Sequence, residues 1–503
     1  MRQFRILLNV LTSLSRNFVG LILGVVATPI ILQALGDEAF GAFRVLLDWV
    51  SQLGILEFGL FPSLQAVFAK SLSKSSQIHP ASISRLAYKR YFQVLVFQGV
   101  GLGIIALFHK ELIPVSPRMA HDLHMAMIIM GISLLFTFSQ IYRAYLDANQ
   151  RGYVISSTMM LQNIIFIFLS VILALTGYGI RGQALAFLLS IAISFVILFR
   201  KTKDELTGST RSSSHTGAHL SIKEQRTPQF IANLSGRASL LADNLIISAL
   251  LGAKSVTAFY LTQRLLLLCM QQLQQLSNAT WPAMSEIYFE KNKEKFRLHI
   301  IEVTEIIALC AGALLSVLAF LNPPFVVLWT GESTYAGLAL SSIVVYNVGL
   351  ISIITFWQWC FIGTGYIKTI IPAIVCQAIV NLGISLFGTH SLGLIGPAIG
   401  TLVSFQLITI PWQSHLMKKT FGVSLLKLSR AWIVPFALPT VASLSMVYQW
   451  GTPKVESWWQ FCFYALVATP LVSVAFFYLL IGAHTRSLFI KRVQFFVARK
   501  TKA

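Results

Sequence analysis

Leu35–Phe43 reads LGDEAFGAF and Leu251–Phe259 reads LGAKSVTAF, and their first glycines, Gly36 and Gly252, stand 216 residues apart. The same spacing pairs Asn17 with Asn233 and Gly20 with Gly236. Further along, Gly179–Ser190 (GIRGQALAFLLS) matches Gly393–Ser404 (GLIGPAIGTLVS) at a spacing of 214. Between these, Gly152-Tyr153 matches Gly365-Tyr366 at 213, and Phe138-x-Gln140 matches Phe356-x-Gln358 at 218. One short match arises by chance; four in order at nearly one spacing rarely do. A duplication of this kind means that one architectural unit is used twice.

The material of that unit follows from composition. Of 503 residues 55% are apolar and 11% charged, with a mean hydropathy of +0.72. Soluble domains carry about 25% charged residues, so this chain lives in a membrane. A spanning helix needs about 20 mostly apolar residues. Runs of that kind lie near 9–34, 40–66, 91–109, 123–146, 153–176, 181–200, 229–251, 255–280, 298–321, 336–361, 365–388, 393–416, 431–450 and 459–482. None alternates in polarity, so backbone groups are satisfied within helices and not within a barrel.

The expected fold is therefore an all-α integral membrane protein of about fourteen transmembrane helices. It comprises a six-helix bundle (1–200), a polar linker (201–228), a second six-helix bundle (229–418), and two additional helices with a basic tail (419–503). Six crossings return the chain to its starting side, so the halves run parallel, related by an axis along the membrane normal. In transporters of that plan the substrate sits between halves and access alternates by rocking.

Lys and Arg number 39 against 18 Asp and Glu, a net charge of +21. In a membrane chain this excess reports topology before it reports partners, because basic residues gather on the cytoplasmic side. With the spans above, thirty fall on one side, Arg143 among them, and five on the other: Lys110, Arg118, Arg181, Lys254 and Lys454. Both termini are expected in the cytoplasm, and no nucleic acid is implied. The apolar run from Leu7 to Leu35 is far longer than the roughly 7–15 residues of a cleaved signal, so it is expected to remain as the first span. The five cysteines lie in apolar stretches without metal or redox spacing.

Four arginines remain inside spans: Arg16, Arg44, Arg237 and Arg264, all in the first two helices of the two repeats. A buried charge costs at least about 2.5–3.5 kcal/mol, so each needs a cavity or a partner. Ser13, Asn17, Gly20 and Gly24 share a helix face with Arg16 at its edge; Asn233, Arg237 and Asn244 share another; Arg264, Gln271, Gln275 and Asn278 form a third stripe. One reading is a cationic, hydrogen-bonding lining for an anionic head group, since a guanidinium matches phosphate in shape and charge. The competing reading is internal pairing: Arg44 with Asp48 at i, i+4, Arg237 with Asp243, Arg264 with glutamine. Asp48, Glu57 and Asp243 are the candidates for a proton or sodium relay. The glycines are expected chiefly to let helices approach. No catalytic constellation, ATP-binding loop, metal set or cofactor motif is present in the sequence, so the chain reads as a non-enzyme driven by an H+ or Na+ gradient or by the substrate gradient.

These stretches also resemble a known family. Leu35–Leu60, LGDEAFGAFRVLLDWVSQLGILEFGL, is similar to the second span of polysaccharide flippases in the multidrug, oligosaccharidyl-lipid and polysaccharide (MOP) exporter superfamily. Ala242–Leu265, Trp281–Tyr288 (WPAMSEIY) and Gly393–Ser404 resemble its seventh, eighth and twelfth spans. The resemblance implies translocation of an undecaprenyl-diphosphate-linked oligosaccharide across a bacterial plasma (inner) membrane for O-antigen or exopolysaccharide assembly. Polysaccharide polymerase and other assembly proteins would be its partners, and Arg16, Arg237 and Arg264 its cationic lining. Glu57-Phe58-Gly59-Leu60 departs mildly from the family's Asp before Gly-Leu. A peptidoglycan lipid-precursor flippase and a cation-coupled multidrug exporter of the same superfamily remain alternatives; four intramembrane arginines and two extra spans speak against the exporter. A membrane glycosyltransferase fits poorly, because the outer loops are short.

Overall fold

The computed structural model describes residues 2–72, 79–206, 242–290, 292–482 and 485–487, which are helical with no strand. They form two compact units, residues 1–257 and 258–503.

In the first unit, α1 (Arg2–Leu35) and α2 (Asp37–Leu53) are parted by Gly36, whose φ of 77° suits glycine. Asp37 and Glu38 open α2, where carboxylates meet the positive end of the helix dipole. The second span was expected to run unbroken over 40–66. It breaks instead at a 3₁₀ turn, Gly54–Glu57, and at two left-handed residues, Phe58 (φ 49°) and Gly59 (φ 70°), before α3 (Leu60–Ser71). There follow α4 (Pro80–Leu107), α5 (Pro117–Ser133), α6 (Ser139–Ala148), α7 (Gly152–Leu175), α8 (Gly179–Leu206) and α9 (Ala242–Leu251). A 3₁₀ turn, Leu134–Phe138, joins α5 and α6 into one apolar segment. α8 continues six residues beyond 200.

The two faces of α1 divide as a helix in lipid should. Leu11, Leu14, Phe18, Ile22, Val26 and Ile30 are exposed, at helical spacing, on the side away from Asn17 and Gly20. On the other side α1 packs against α7: Gly20 faces Asn163, and Asn9 Oδ1 accepts a hydrogen bond of 2.6 Å from the Tyr153 amide in the first turn of α7. A core of Phe68, Tyr91, Ile141, Tyr142 and Tyr145 ties α3, α4 and α6 together. At the other end of the unit, Ser248 of α9 donates to the Leu112 carbonyl at 3.0 Å, and Thr257 donates to the Asp37 carbonyl at 2.6 Å. A Cβ on Gly41 would lie 2.0 Å from the Ala253 carbonyl oxygen, so no larger residue fits. Gly41 and Thr257, neighbours here, are matched by the 216-residue repeat.

The second unit holds most of α10 (Ala253–Phe289), then α11 (Lys293–Thr330), α12 (Leu338–Gly363), α13 (Ile367–Leu392), α14 (Gly396–Ser404) and α15 (Ile410–Phe421). The final elements are α16 (Leu425–Trp432), α17 (Leu438–Trp450) and α18 (Trp458–Leu479). α11 is buried along most of its length, whereas α18 has no buried residue and presents apolar side chains all round, as a peripheral helix in lipid does. A π-helical turn, Ile433–Ala437, seats α16 and α17 on the core: Gly312 lies under the Pro435 carbonyl and Gly349 under the Phe436 ring, both with about 2.0 Å to an added Cβ. α13 and α14 approach as closely, with Gly396 against the Thr389 amide and Gly400 against Ser385. In the first unit Gly182 fits against Leu173 and Tyr178 in the same manner. At these positions the glycines do the packing work expected of them.

Among the described residues eleven helical segments are long and apolar enough to cross a membrane. One of them, Ile367–Phe421, has 55 residues and contains α13, α14 and α15. α10 is not among the eleven, because its polar residues lower its hydropathy, and α9 is short. The chain is a multi-pass membrane protein.

Candidate functional site

Asp48, one α-helical turn after Arg44, is buried. Arg44 Nη2 donates to its Oδ1 at 2.9 Å and Asn244 Nδ2 donates to its Oδ2 at 2.7 Å. This cluster of α2 and α9 satisfies the carboxylate on both oxygens. Internal pairing is thus the arrangement for Arg44, and Asn244 joins it. The sequence groups Asn244 with Asn233 and Arg237, and these two lie outside the described residues. Asp243 is described, and its Oδ1 is buried with no hydrogen-bond partner among those residues.

Arg16 is arranged differently. Its Nε and Nη2 reach Asn17 Oδ1 at 3.4 and 3.3 Å, and its Nη1 reaches the Met159 sulfur of α7 at 3.5 Å. Among the described residues no carboxylate pairs with it. Glu57 ends the 3₁₀ turn and accepts a hydrogen bond from the Tyr91 hydroxyl of α4. The interruption of α2 makes this contact possible by re-aiming the carboxylate; breaks of this kind are tolerated at membrane depth only where protein or water satisfies the freed backbone.

In the second unit Arg264 of α10 is half-buried, with its guanidinium 5.6 Å above the Tyr260 ring one turn earlier. A cation over an aromatic face is partly compensated for lost hydration. It has no ion pair among the described residues. Gln271, Gln275 and Asn278, the remainder of its stripe, are exposed, while Gln274 turns inward to Thr355 at 3.4 Å. The stripe therefore lies on the exposed face of a helix whose other side, Leu266, Leu273 and Ser277, is buried.

The structure adds Arg143, Tyr91 and Met159 to these residues. The charge distribution places Arg143 with the cytoplasmic loops, yet it lies within α6, inside the apolar segment Pro117–Ala148. The signal was present, since the run 123–146 already contained it. Tyr91 and Met159 carried no signal, being an aromatic and a thioether in apolar surroundings.

Comparison with known proteins agrees with this architecture. Residues 6–288 match the polysaccharide biosynthesis protein family. Among solved structures the fold is similar to the Lipid II flippase MurJ in an inward closed conformation, with 14% identity, 93% of this chain and 98% of that chain covered, and a TM-score of 0.69. It is also similar to an inward-facing multidrug resistance MATE family transporter of the MOP superfamily, at 19% identity, 82% and 99% coverage and a TM-score of 0.61. A MOP superfamily transporter from Pyrococcus furiosus aligns at 17% identity, 88% and 96% coverage and a TM-score of 0.55. No curated protein sequence matches the chain significantly. With more than half its length matched and its helices arranged as in the MOP transporters, the chain belongs to the polysaccharide biosynthesis protein family.

Proposed function

We propose that this protein flips an undecaprenyl-diphosphate-linked oligosaccharide from the cytoplasmic to the outer leaflet of a bacterial plasma membrane, by alternating access, for the assembly of O-antigen or another surface polysaccharide. The observation that carries this reading is that Arg16 and Arg264 have no carboxylate partner among the described residues. Intramembrane cations held, among the described residues, by an amide, a sulfur and a ring retain donors for phosphate oxygens. Gln271 and Gln275 add amides that both donate to and accept from sugar hydroxyls. Membership of the polysaccharide biosynthesis family supports the cargo class, and the basic-residue distribution supports cytoplasmic termini. Asp243 is the leading candidate for coupling to a proton or sodium gradient. Asp48 and Glu57, already bonded, are secondary ones.

The similarity in fold to the Lipid II flippase favours one second reading, a peptidoglycan lipid precursor as cargo. Proteoliposomes decide between them. Purified protein reconstituted with a fluorescent polyprenyl-diphosphate oligosaccharide or with a lipid-linked peptidoglycan precursor is assayed for loss of inner-leaflet signal. Transport of the first is expected, with Arg237→Ala and Arg264→Ala each slowing it at least about tenfold, about 1.4 kcal/mol, and Lys at either position restoring part. Transport of the precursor alone selects the second reading. Undiminished transport in both alanine variants removes these arginines from the site.

A further inference from the structure

We infer that the first unit contains its own binding pocket for an oxyanion joined to a hydroxyl, the chemistry of a sugar phosphate or an acidic sugar, with Arg143 as its cation. The inference deepens the flippase reading by naming a subsite, and it is tested separately from transport.

A cavity of about 220 Å³ opens among α2, α4, α5, α6, α7 and α8. Arg143, Gln98, Gln140, Gln162, Ser133 and Ser194 supply most of its polar lining. Two of these side chains are short of partners. Among the described residues Arg143 Nε, a donor, and Gln98 Oε1, an acceptor, are buried without a hydrogen bond. Gln98 donates its amide nitrogen to the Leu53 carbonyl at 3.2 Å, and its oxygen is left without a partner among the described residues. Among the described residues Arg143 Nη2 reaches only the Met159 sulfur, at 3.6 Å, and Arg16 Nη1 reaches that same sulfur at 3.5 Å. A thioether is a weak acceptor, so two guanidinium groups converge on an atom that compensates neither.

Other charges lie near but do not close the site. Asp147, Glu57, Arg16 and Tyr91 act electrostatically on Arg143. No carboxylate pairs with Arg143 within 4.0 Å among the described residues, and Glu57 is taken by Tyr91. A buried donor and a buried acceptor left open cost free energy unless something fills both. An oxyanion answers Arg143, and a neighbouring hydroxyl answers Gln98. The other two glutamines, Gln140 and Gln162, and the lining serines suit further hydroxyls, and a cavity of about 220 Å³ suits one sugar-sized group, not a chain.

The probes are glucose 1-phosphate and glucuronate, with inorganic phosphate and glucose as partial ligands, added to the purified full-length protein in detergent. Binding is measured by calorimetry, and the site is located by protection of Met159 from sulfoxidation, read by mass spectrometry. At least one of the two probes is expected to bind more tightly than phosphate or glucose and to slow Met159 oxidation. Arg143→Gln should raise Kd at least about tenfold and remove the protection, while Arg143→Lys and Gln98→Leu should each weaken binding partially. Preference for glucose 1-phosphate assigns the oxyanion to the head-group phosphate, and preference for glucuronate to an acidic sugar. Absence of binding by both probes, binding that Arg143→Gln and Arg143→Lys leave unchanged, or binding that leaves Met159 unprotected each overturns the inference, whatever the transport assay reports.

Discussion

Asp48 accepts from Arg44 at 2.9 Å and from Asn244 at 2.7 Å, one bond on each carboxylate oxygen. These bonds join α9 to α2 through Asp48. Asn244→Ala should strip one oxygen of a buried carboxylate of its donor and lower stability by about 1–3 kcal/mol, seen as an earlier thermal unfolding in detergent. Asp243 has the opposite character, with Oδ1 buried and unmatched among the described residues. If gradient coupling runs through it, Asp243→Asn makes transport in proteoliposomes indifferent to proton and sodium gradients, while Asp48→Asn lowers stability and leaves that dependence in place. A gradient response preserved in Asp243→Asn eliminates Asp243. The i, i+4 spacing announced the Arg44 pair in advance, because it is a property of one helix. Asn244 completing it from 196 residues away was not legible, since no local rule relates the two helices.

Helices here are held to one another by shape. Within lipid no hydrophobic force drives two apolar helices together, so close approach of backbones has to supply the attraction. Gly312 under Pro435 and Gly41 under Ala253 leave about 2.0 Å to an added Cβ, less than any contact tolerates. Gly312→Leu or Gly41→Leu should yield protein that elutes as aggregate in size-exclusion chromatography. Gly383, on an exposed face of α13 with nothing within 4 Å of an added Cβ, provides the contrast. Gly383→Ala should stabilise by about 0.5–1 kcal/mol through reduced backbone freedom. Persistence of monodisperse Gly312→Leu would contradict the packing argument. The glycine spacing in Gly393–Ser404 marked that close contact from sequence. The break after Leu53 was hidden, because Gly54–Leu60 is apolar enough to read as continuous span.

Topology is a property of the chain in its bilayer, and with Arg143 counted inside its span the twenty-nine-to-five division of Lys and Arg outside the spans makes a definite statement about it. Single cysteines introduced at Lys110 and Lys454 into a cysteine-free background should react with an impermeant maleimide added to intact cells. Cysteines at Lys293 and Lys427 should react only after permeabilisation. Labelling of the second pair from outside would invert the proposed orientation and with it the direction of cargo movement.

Much of this protein was written in one dimension. Hydropathy follows from the solvation of each side chain, and repeat spacing and charge asymmetry are read along the chain. Membrane residence, helical class and membership of the polysaccharide biosynthesis family were therefore legible in the sequence itself. What needed three dimensions was which polar groups meet: whether Arg16, Arg44 and Arg264 are neutralised, that Arg143 lies within a span beside Arg16, and that Gln98 and Arg143 face one cavity. Partnership between side chains depends on contacts separated by up to hundreds of residues in sequence. At membrane depth it is that partnership, more than residue type, which decides whether a charge is a strut or a binding group.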